Sequence, residues 1–379
     1  MGGGNGTPHY LLTNMSSTHW FRSASAPFPL FGERHCSQGI IRNNTCDGKI
    51  SPPMTHRRFL LPVLLCLPIL LAGCGSHKPA TSSGFSVALL TTGPVSDGGW
   101  NQSAQDGVNL TKKDLGAKTS TEESLTPDKF AGAFRDYASQ GYQLIFAHGD
   151  EFGPTAEQAS KQFPKTVFIT TGGDEAAGPN IAPIEFATEE GTYLQGMEAA
   201  MVSKTGKGGF VGGQELPPVK RAADAFAAGA RSINSHFQFQ TLYLNSWTDT
   251  TAAKAATDSL MNSGADVIAH NCDAAAAGMF QAADGKPGVY TFGVNADENK
   301  KASNVLSSAF LDIPKAFDDI AKSVKDGTFQ GKPLMLGLKQ GDVRLIDNPA
   351  LANVIPASGK AKIQQAEQQI SAGNLKVVP

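Results

Sequence analysis

From Phe85 to the C-terminus the chain repeats one pattern for about 300 residues: a short apolar run, a polar and glycine-rich loop, then a helix-like segment. The runs are 85–90, 142–147, 166–170, 181–186, 209–211, 241–244, 266–269, 289–294 and 305–310. Helix candidates between them include 102–115, 127–140, 188–202, 220–233, 250–262 and 314–326. Strand and helix alternating at this spacing predict an α/β fold of parallel sheets with helices on both faces. So much alternation exceeds what one core holds, which predicts two lobes. The first crossing between lobes is placed at 187–191, with later ones near 294–305 and 327–334. That gives lobe 1 as 85–188 with a return segment at about 305–330, and lobe 2 as 189–304 with a C-terminal segment at about 331–379. No short internal repeat interrupts the pattern.

The N-terminal part must be set aside first. Residues 54–74 read as an export signal: Arg57 and Arg58 supply the positive start, and 59–71 form an apolar segment of 13 residues broken by Pro62 and Pro68. That is short for a bilayer span of about 20 residues but normal for a signal-peptide core. A buried core helix and an ordinary membrane anchor are the competing readings. The two arginines, the length and the Leu71-Ala72-Gly73-Cys74 ending, which resembles the bacterial lipobox, favour a lipoprotein signal over 54–73 with Cys74 as the acylated residue. Met54 then reads as the true start, and 1–53 as a non-native or disordered extension. Residues 74–84 form a polar tether that holds a folded body off a membrane, on its periplasmic or outer face.

Charge and cysteine usage narrow the classes further. Six of the 32 Lys/Arg and two of the 34 Asp/Glu fall in 1–73, so the body carries 26 basic and 32 acidic groups, a net of −6. A nucleic-acid partner is not expected, because such a surface needs a basic face. Cys36, Cys46 and Cys66 precede the cleavage point, which leaves Cys74 for the lipid and Cys272 alone. His77, His148, His236 and His270 have no zinc-like spacing. No disulfide framework, metal site or cofactor is expected.

In open parallel sheets, ligands bind beyond the carboxyl ends of the strands, so the loops after each run are where a site belongs. The first loop holds Asp97, Trp100 and Asn101; the next holds Asp150 and Glu151 within 148–152; a third is 171–174. In the second half the loops carry Gln214, then Trp247 and Asp249, then Asn271 and Asp273, then Asn295 and Asp297. Trp100 and Trp247, one per lobe, are the only tryptophans of the body. Trp100 sits among glycines, where a core residue would have apolar neighbours. Aromatic faces beside Asn and Asp suit a flat, hydroxylated ligand, with the ring stacking and the polar groups taking N–H and O–H donors.

Structural readings stand beside these. Asp249 and Asp273 are each placed to cap a following helix, and Trp247 to pack at a lobe edge. His148 and His270 end apolar runs and read as structural. Cys272 and His270 share a strand face without forming a recognised catalytic pattern. The glycine-rich stretch 206–213 lacks the GxxxxGK[ST] spacing and reads as a turn plus a strand that lets backbone approach a ligand.

With these residues in place the chain resembles the basic membrane protein family of substrate-binding lipoproteins, the purine nucleoside receptors of ABC importers, from Phe85 to about Asn348. The resemblance is carried by 97–103 followed by Gly107, and by 148–152, 189–196, 207–213, 226–230, 247–249, 264–268 and 293–297 in that order, with the lipobox. It implies a type I periplasmic-binding-protein fold, two α/β lobes joined by a multi-strand hinge and closing on a small ligand, with an ABC permease and ATPase as partners. By position, Trp100 takes the stacking role, Asp97 and Asn101 the base edge, and Asp150 or Glu151, Asp273 and Asp297 the ribose hydroxyls. Two departures concern the ribose contacts: no lysine follows Ser308 in 308–311, and Asn295 stands where an Asp is common. Competing functions are a sensory receptor without a transporter, and a nucleoside hydrolase using Asp97, Asp150 and Asp273.

Overall fold

The computed structural model describes residues 84–173 and 178–377. The extension, the signal segment, Cys74 and nearly all of the tether lie outside the described residues, as does Asp174. In chain order the strands are β1 (Ser86–Thr91), β2 (Lys118–Glu122), β3 (Leu144–His148), β4 (Val167–Thr171), β5 (Ile181–Phe186), β6 (Lys207–Gly212), β7 (Gln238–Tyr243), β8 (Val267–Asn271), β9 (Tyr290–Asn295), β10 (Val305–Leu311), β11 (Leu334–Leu336) and β12 (Val343–Asp347). The helices are α1 (Trp100–Leu115), α2 (Pro127–Ser139), α3 (Gly153–Gln162), α4 (Thr188–Val202), α5 (Pro217–Ile233), α6 (Thr250–Asn262), α7 (Ala276–Ala283), α8 (Ile313–Lys325) and α9 (Ala357–Ser371).

Two six-stranded sheets result, ordered β11-β5-β4-β3-β1-β2 and β12-β10-β9-β8-β6-β7. Every pairing is parallel except β10 with β12. Parallel strands covered on both faces read as continuous apolar runs, and β1 and β3 are buried along their whole length. Their side chains alternate between two cores. Leu89, Leu144 and Phe146 join the cluster that includes residues of α1 and α8, whereas Leu90, Ile145 and Ala147 join the one built with α2 and α3. The second sheet repeats the arrangement: Phe210, Ala269 and Phe292 pack with α4 and α5, and Val211 and Ile268 with α6 and α7.

The chain passes between lobes three times: from β5 into α4 at Ala187, from β10 into α8 at Asp312, and between β11 and β12 across 337–342. The sequence placed 305–310 in the first lobe, and the structure corrects this. β10 pairs with β9 and β12 in the second sheet, in keeping with the tendency of consecutive strands to lie side by side. The return begins with α8, whose Phe317 stacks on Phe146 of β3, centroids 3.9 Å apart. Likewise β11, expected in the second lobe, adds to the first sheet beside β5.

Tight contacts fix the second lobe around α4. Gly196 faces the Phe226 carbonyl and Gly229 the Tyr193 carbonyl, so a Cβ at either would overlap the opposite helix backbone. The Gln195 amide donates to the Gly293 carbonyl at 2.8 Å, which ties α4 to β9. With both sheets so held, the carboxyl ends of their strands present the loops that form the site.

Candidate functional site

These loops meet around a cavity of about 510 Å³, a size that suits a small molecule. The first lobe supplies Pro94, Trp100, Asn101, Asp150, Glu151 and Phe186; the second supplies Gln214, Leu216, Trp247, Asn271, Asp273 and Asn295.

Asp97 explains the start of α1. Its Oδ1 accepts from the N–H groups of Gly99 at 2.9 Å and Gln102 at 3.0 Å, and its Oδ2 from both the backbone N–H and the side-chain amide of Asn101 at 2.9 Å. A carboxylate that accepts four bonds in this way caps the helix and is spent doing so. Asp97 is therefore not part of the cavity wall, a correction to its expected place at a base edge. The same bonds orient Asn101: its NH₂ faces Asp97, so its Oδ1 is left buried without a partner, on a residue that lines the cavity.

Trp100 follows directly. One face of its indole stacks on His148, centroids 4.0 Å apart, and Phe186 meets it edge-on at 6.5 Å. His148 is buried and bonded at both nitrogens, to the Trp100 carbonyl at 3.1 Å and the Thr171 hydroxyl at 2.9 Å. A carbonyl only accepts, so Nε2 carries the proton and Nδ1 accepts from Thr171. Burial holds this imidazole neutral, its pKa lowered to about 3.

In the second lobe, Trp247 lies over Gly213, where a Cβ would overlap its ring. Its carbonyl accepts from the Ala275 N–H at 2.9 Å. Asp249 caps α6 through the Ala252 N–H at 2.8 Å and does not line the cavity, which decides between its two readings. Asp273 and Asn295 both adopt left-handed backbone conformations, φ 47° and 67°, and the Asn295 amide donates to Asp273 at 3.3 Å. Such conformations are uncommon outside glycine, and Asp and Asn tolerate them best. The Asp273 carboxyl is pushed well above the usual range, first by burial and then by the charges of Asp97, Glu298 and Glu151. Burial likewise raises Glu151 to about 7, with Asp150 beside it adding to the effect.

Asp297 is also corrected. It is exposed and accepts from the Asn299 N–H at 3.1 Å, away from the cavity. Glu298 instead turns inward and is buried, where it accepts from Val294 N–H at 3.0 Å and bonds His270 at 2.8 Å. His270 and Cys272 are buried behind the wall. Of the three carboxylates of the hydrolase reading, Asp150 and Asp273 line the cavity, while Asp97 is bonded into the start of α1.

The structure adds Ser124, Glu185, Phe186, Thr188, Pro218 and Val219 to the wall. Glu185 and Phe186 end the 181–186 run just before the chain changes lobes, and that position was the available signal. Arg221 of α5 pairs with Glu185 of the first lobe and lies 3.8 Å from Glu189. Among the described residues, no group of three or more His, Cys, Asp or Glu is placed to hold a metal ion.

Residues 85–376 match the family model described as Bmp, ABC transporter substrate-binding protein PnrA-like. The chain belongs to the Bmp family. It is 28% identical over 337 residues to the ABC transporter nucleoside-binding protein BmpA of Lactococcus lactis subsp. cremoris, covering 82% of this chain and 96% of that one. It is 29% identical over 295 residues to a purine-binding protein of Brucella abortus, covering 77% and 82%. An ABC transporter solute-binding protein from Aeropyrum pernix K1 superposes with a TM-score of 0.69 at 21% identity, over 77% of this chain and 92% of that one. The Bmp chain thus has the type I periplasmic-binding-protein fold of ABC transporter substrate-binding proteins. Among the described residues, no helix is long and apolar enough to cross a membrane.

Proposed function

We propose that this Bmp protein is the lipid-anchored, extracytoplasmic capture component of an ABC importer and closes its lobes on a purine nucleoside or a closely related ligand. The observation that carries this reading is the Trp100 indole held flat against His148 at the cavity wall, beside the free acceptor of Asn101. A purine stacks on the indole while an N–H of its edge donates to Asn101 Oδ1. Asp150, Glu151 and Asp273 accept from ribose hydroxyls, Asn295 positions Asp273, and Trp247 and Gln214 close from the second lobe. The nucleoside- and purine-binding relatives support this ligand class.

A thermal-shift panel of purine and pyrimidine nucleosides, free bases and simple sugars tests the reading, with chromatography of each mixture to detect free base and ribose. The largest stabilisation is expected from a purine nucleoside recovered intact. Stabilisation by sugars alone, or recovery of split nucleoside, contradicts it. For the anchor, Cys74→Ser is expected to move the protein from the membrane to the soluble fraction. A variant that stays on the membrane contradicts the lipid.

A further inference from the structure

The cavity wall is one-sided in charge. Asp150, Glu151, Glu185 and Asp273 line it, and among the described residues no Lys, Arg or His does. Glu185 is offset by Arg221. The remaining three face each other across the cleft, Asp150 and Glu151 from the first lobe and Asp273 from the second, with Asp97 and Glu298 close enough to act on Asp273. Other charged groups nearby do not offset them: His270 is committed to Glu298, and Lys301 reaches Gly98 without entering the wall.

Lobe closure removes water and strengthens every charge interaction in the cleft. A neutral ligand leaves like-charged groups opposed, so they must keep protons or repel each other. A cationic ligand relieves that opposition directly. Two further features accommodate such a ligand. Asn101, 5% exposed, presents a buried Oδ1 with no partner, which asks the ligand for an N–H donor. The two tryptophans in the wall provide faces that attract cations.

We propose that the cleft selects a nucleoside whose base carries a positive charge, as an N-alkylated purine does, over the neutral parent and over the phosphorylated form. This rests on the nucleoside reading and names the charge class within it. Trp100 stacks on the cationic ring, Asn101 Oδ1 takes an N–H of its edge, and Asp150, Glu151 and Asp273, while accepting from the ribose hydroxyls, attract the charge through the field of the shared cavity. A phosphate brought into the same wall meets acidic side chains and, among the described residues, no basic one.

The test is calorimetric titration of the purified protein with 7-methylguanosine against guanosine, 1-methyladenosine against adenosine, and adenosine 5′-monophosphate. The two methyl groups lie on different edges, so steric exclusion of one probe does not decide the outcome. The expected result is binding of a methylated cation about tenfold or more tighter than its parent, weakening as salt rises, with the monophosphate weakest. In Glu151→Gln and Asp273→Asn the preference shrinks toward parity. Parent nucleosides that bind as well as both cations overturn the charge selection and leave nucleoside capture standing. Failure of every nucleoside, charged or neutral, with binding of a non-nucleoside such as choline, overturns nucleoside capture instead.

Discussion

The indole of Trp100 and the imidazole of His148 form one stacked unit, 4.0 Å between centroids with planes 24° apart, and the imidazole also donates to the Trp100 carbonyl. An aromatic face backed this way cannot fold away when the cleft is empty, so less ordering is needed on binding. Trp100→Ala is expected to weaken nucleoside binding by about fivefold to 150-fold, since base stacking contributes about 1–3 kcal/mol. Calorimetry on the folded variant checks it, and unchanged affinity removes Trp100 from the site.

His148 should make the protein sensitive to acid. Its folded pKa lies near 3 against an ordinary 6.5, so the unfolded chain binds the extra proton across that window. Its contribution to stability is present above about pH 6.5 and is lost as pH falls toward 3. Urea denaturation across this range should show a steeper fall for wild type than for His148→Asn. Parallel curves argue that His148 is protonated in the fold.

Glu198 works in the opposite sense. It is buried in the second lobe, accepts from the Ser307 hydroxyl, and burial, with Asp347 adding to it, raises its pKa from 4.5 to about 8. The fold therefore holds a proton that the unfolded chain loses, and stability falls as pH rises from about 4.5 through about 8. Glu198→Gln keeps a carbonyl acceptor for Ser307 and removes this slope. Denaturation at the two ends of the window should show the variant gaining on wild type at the alkaline end.

Asp97→Ala removes the cap of α1 and frees the Asn101 amide in one step. A loss of about 0.5–2 kcal/mol in stability is expected, with weaker nucleoside binding through the misplaced Asn101. Thermal denaturation and titration together check it. A loss of binding with no loss of stability would return Asp97 to direct ligand contact.

The alternation that defines the fold was legible because β1 and β3 are covered on both faces and must be apolar throughout. β2 and β11, at the sheet edges, were not legible, since Lys118–Glu122 and Leu334–Leu336 carry no fully buried residue. Nothing in the composition of β10 says which sheet it joins, because an apolar strand suits either. In the site, position after a strand singled out Trp100, Asn101, Asp150, Glu151, Gln214, Trp247, Asp273 and Asn295, which line the cavity. Residue type did not separate capping from wall positions, because Asp97 and Asp273 differ only in which donors the backbone brings to them. That Glu298 is buried and Asp297 exposed just after the left-handed Asn295 is announced by no local pattern.

The central claim is capture of a purine nucleoside in the cavity between the lobes. Calorimetric titration of the purified protein, first stripped of carried-over ligand by unfolding and refolding, with adenosine and guanosine and their N-methylated cations tests it most directly. Saturable binding of a nucleoside at one site per chain, weakened in Trp100→Ala, is the predicted result. Absence of heat with every nucleoside, while a sugar or free amine saturates the same protein, would contradict it.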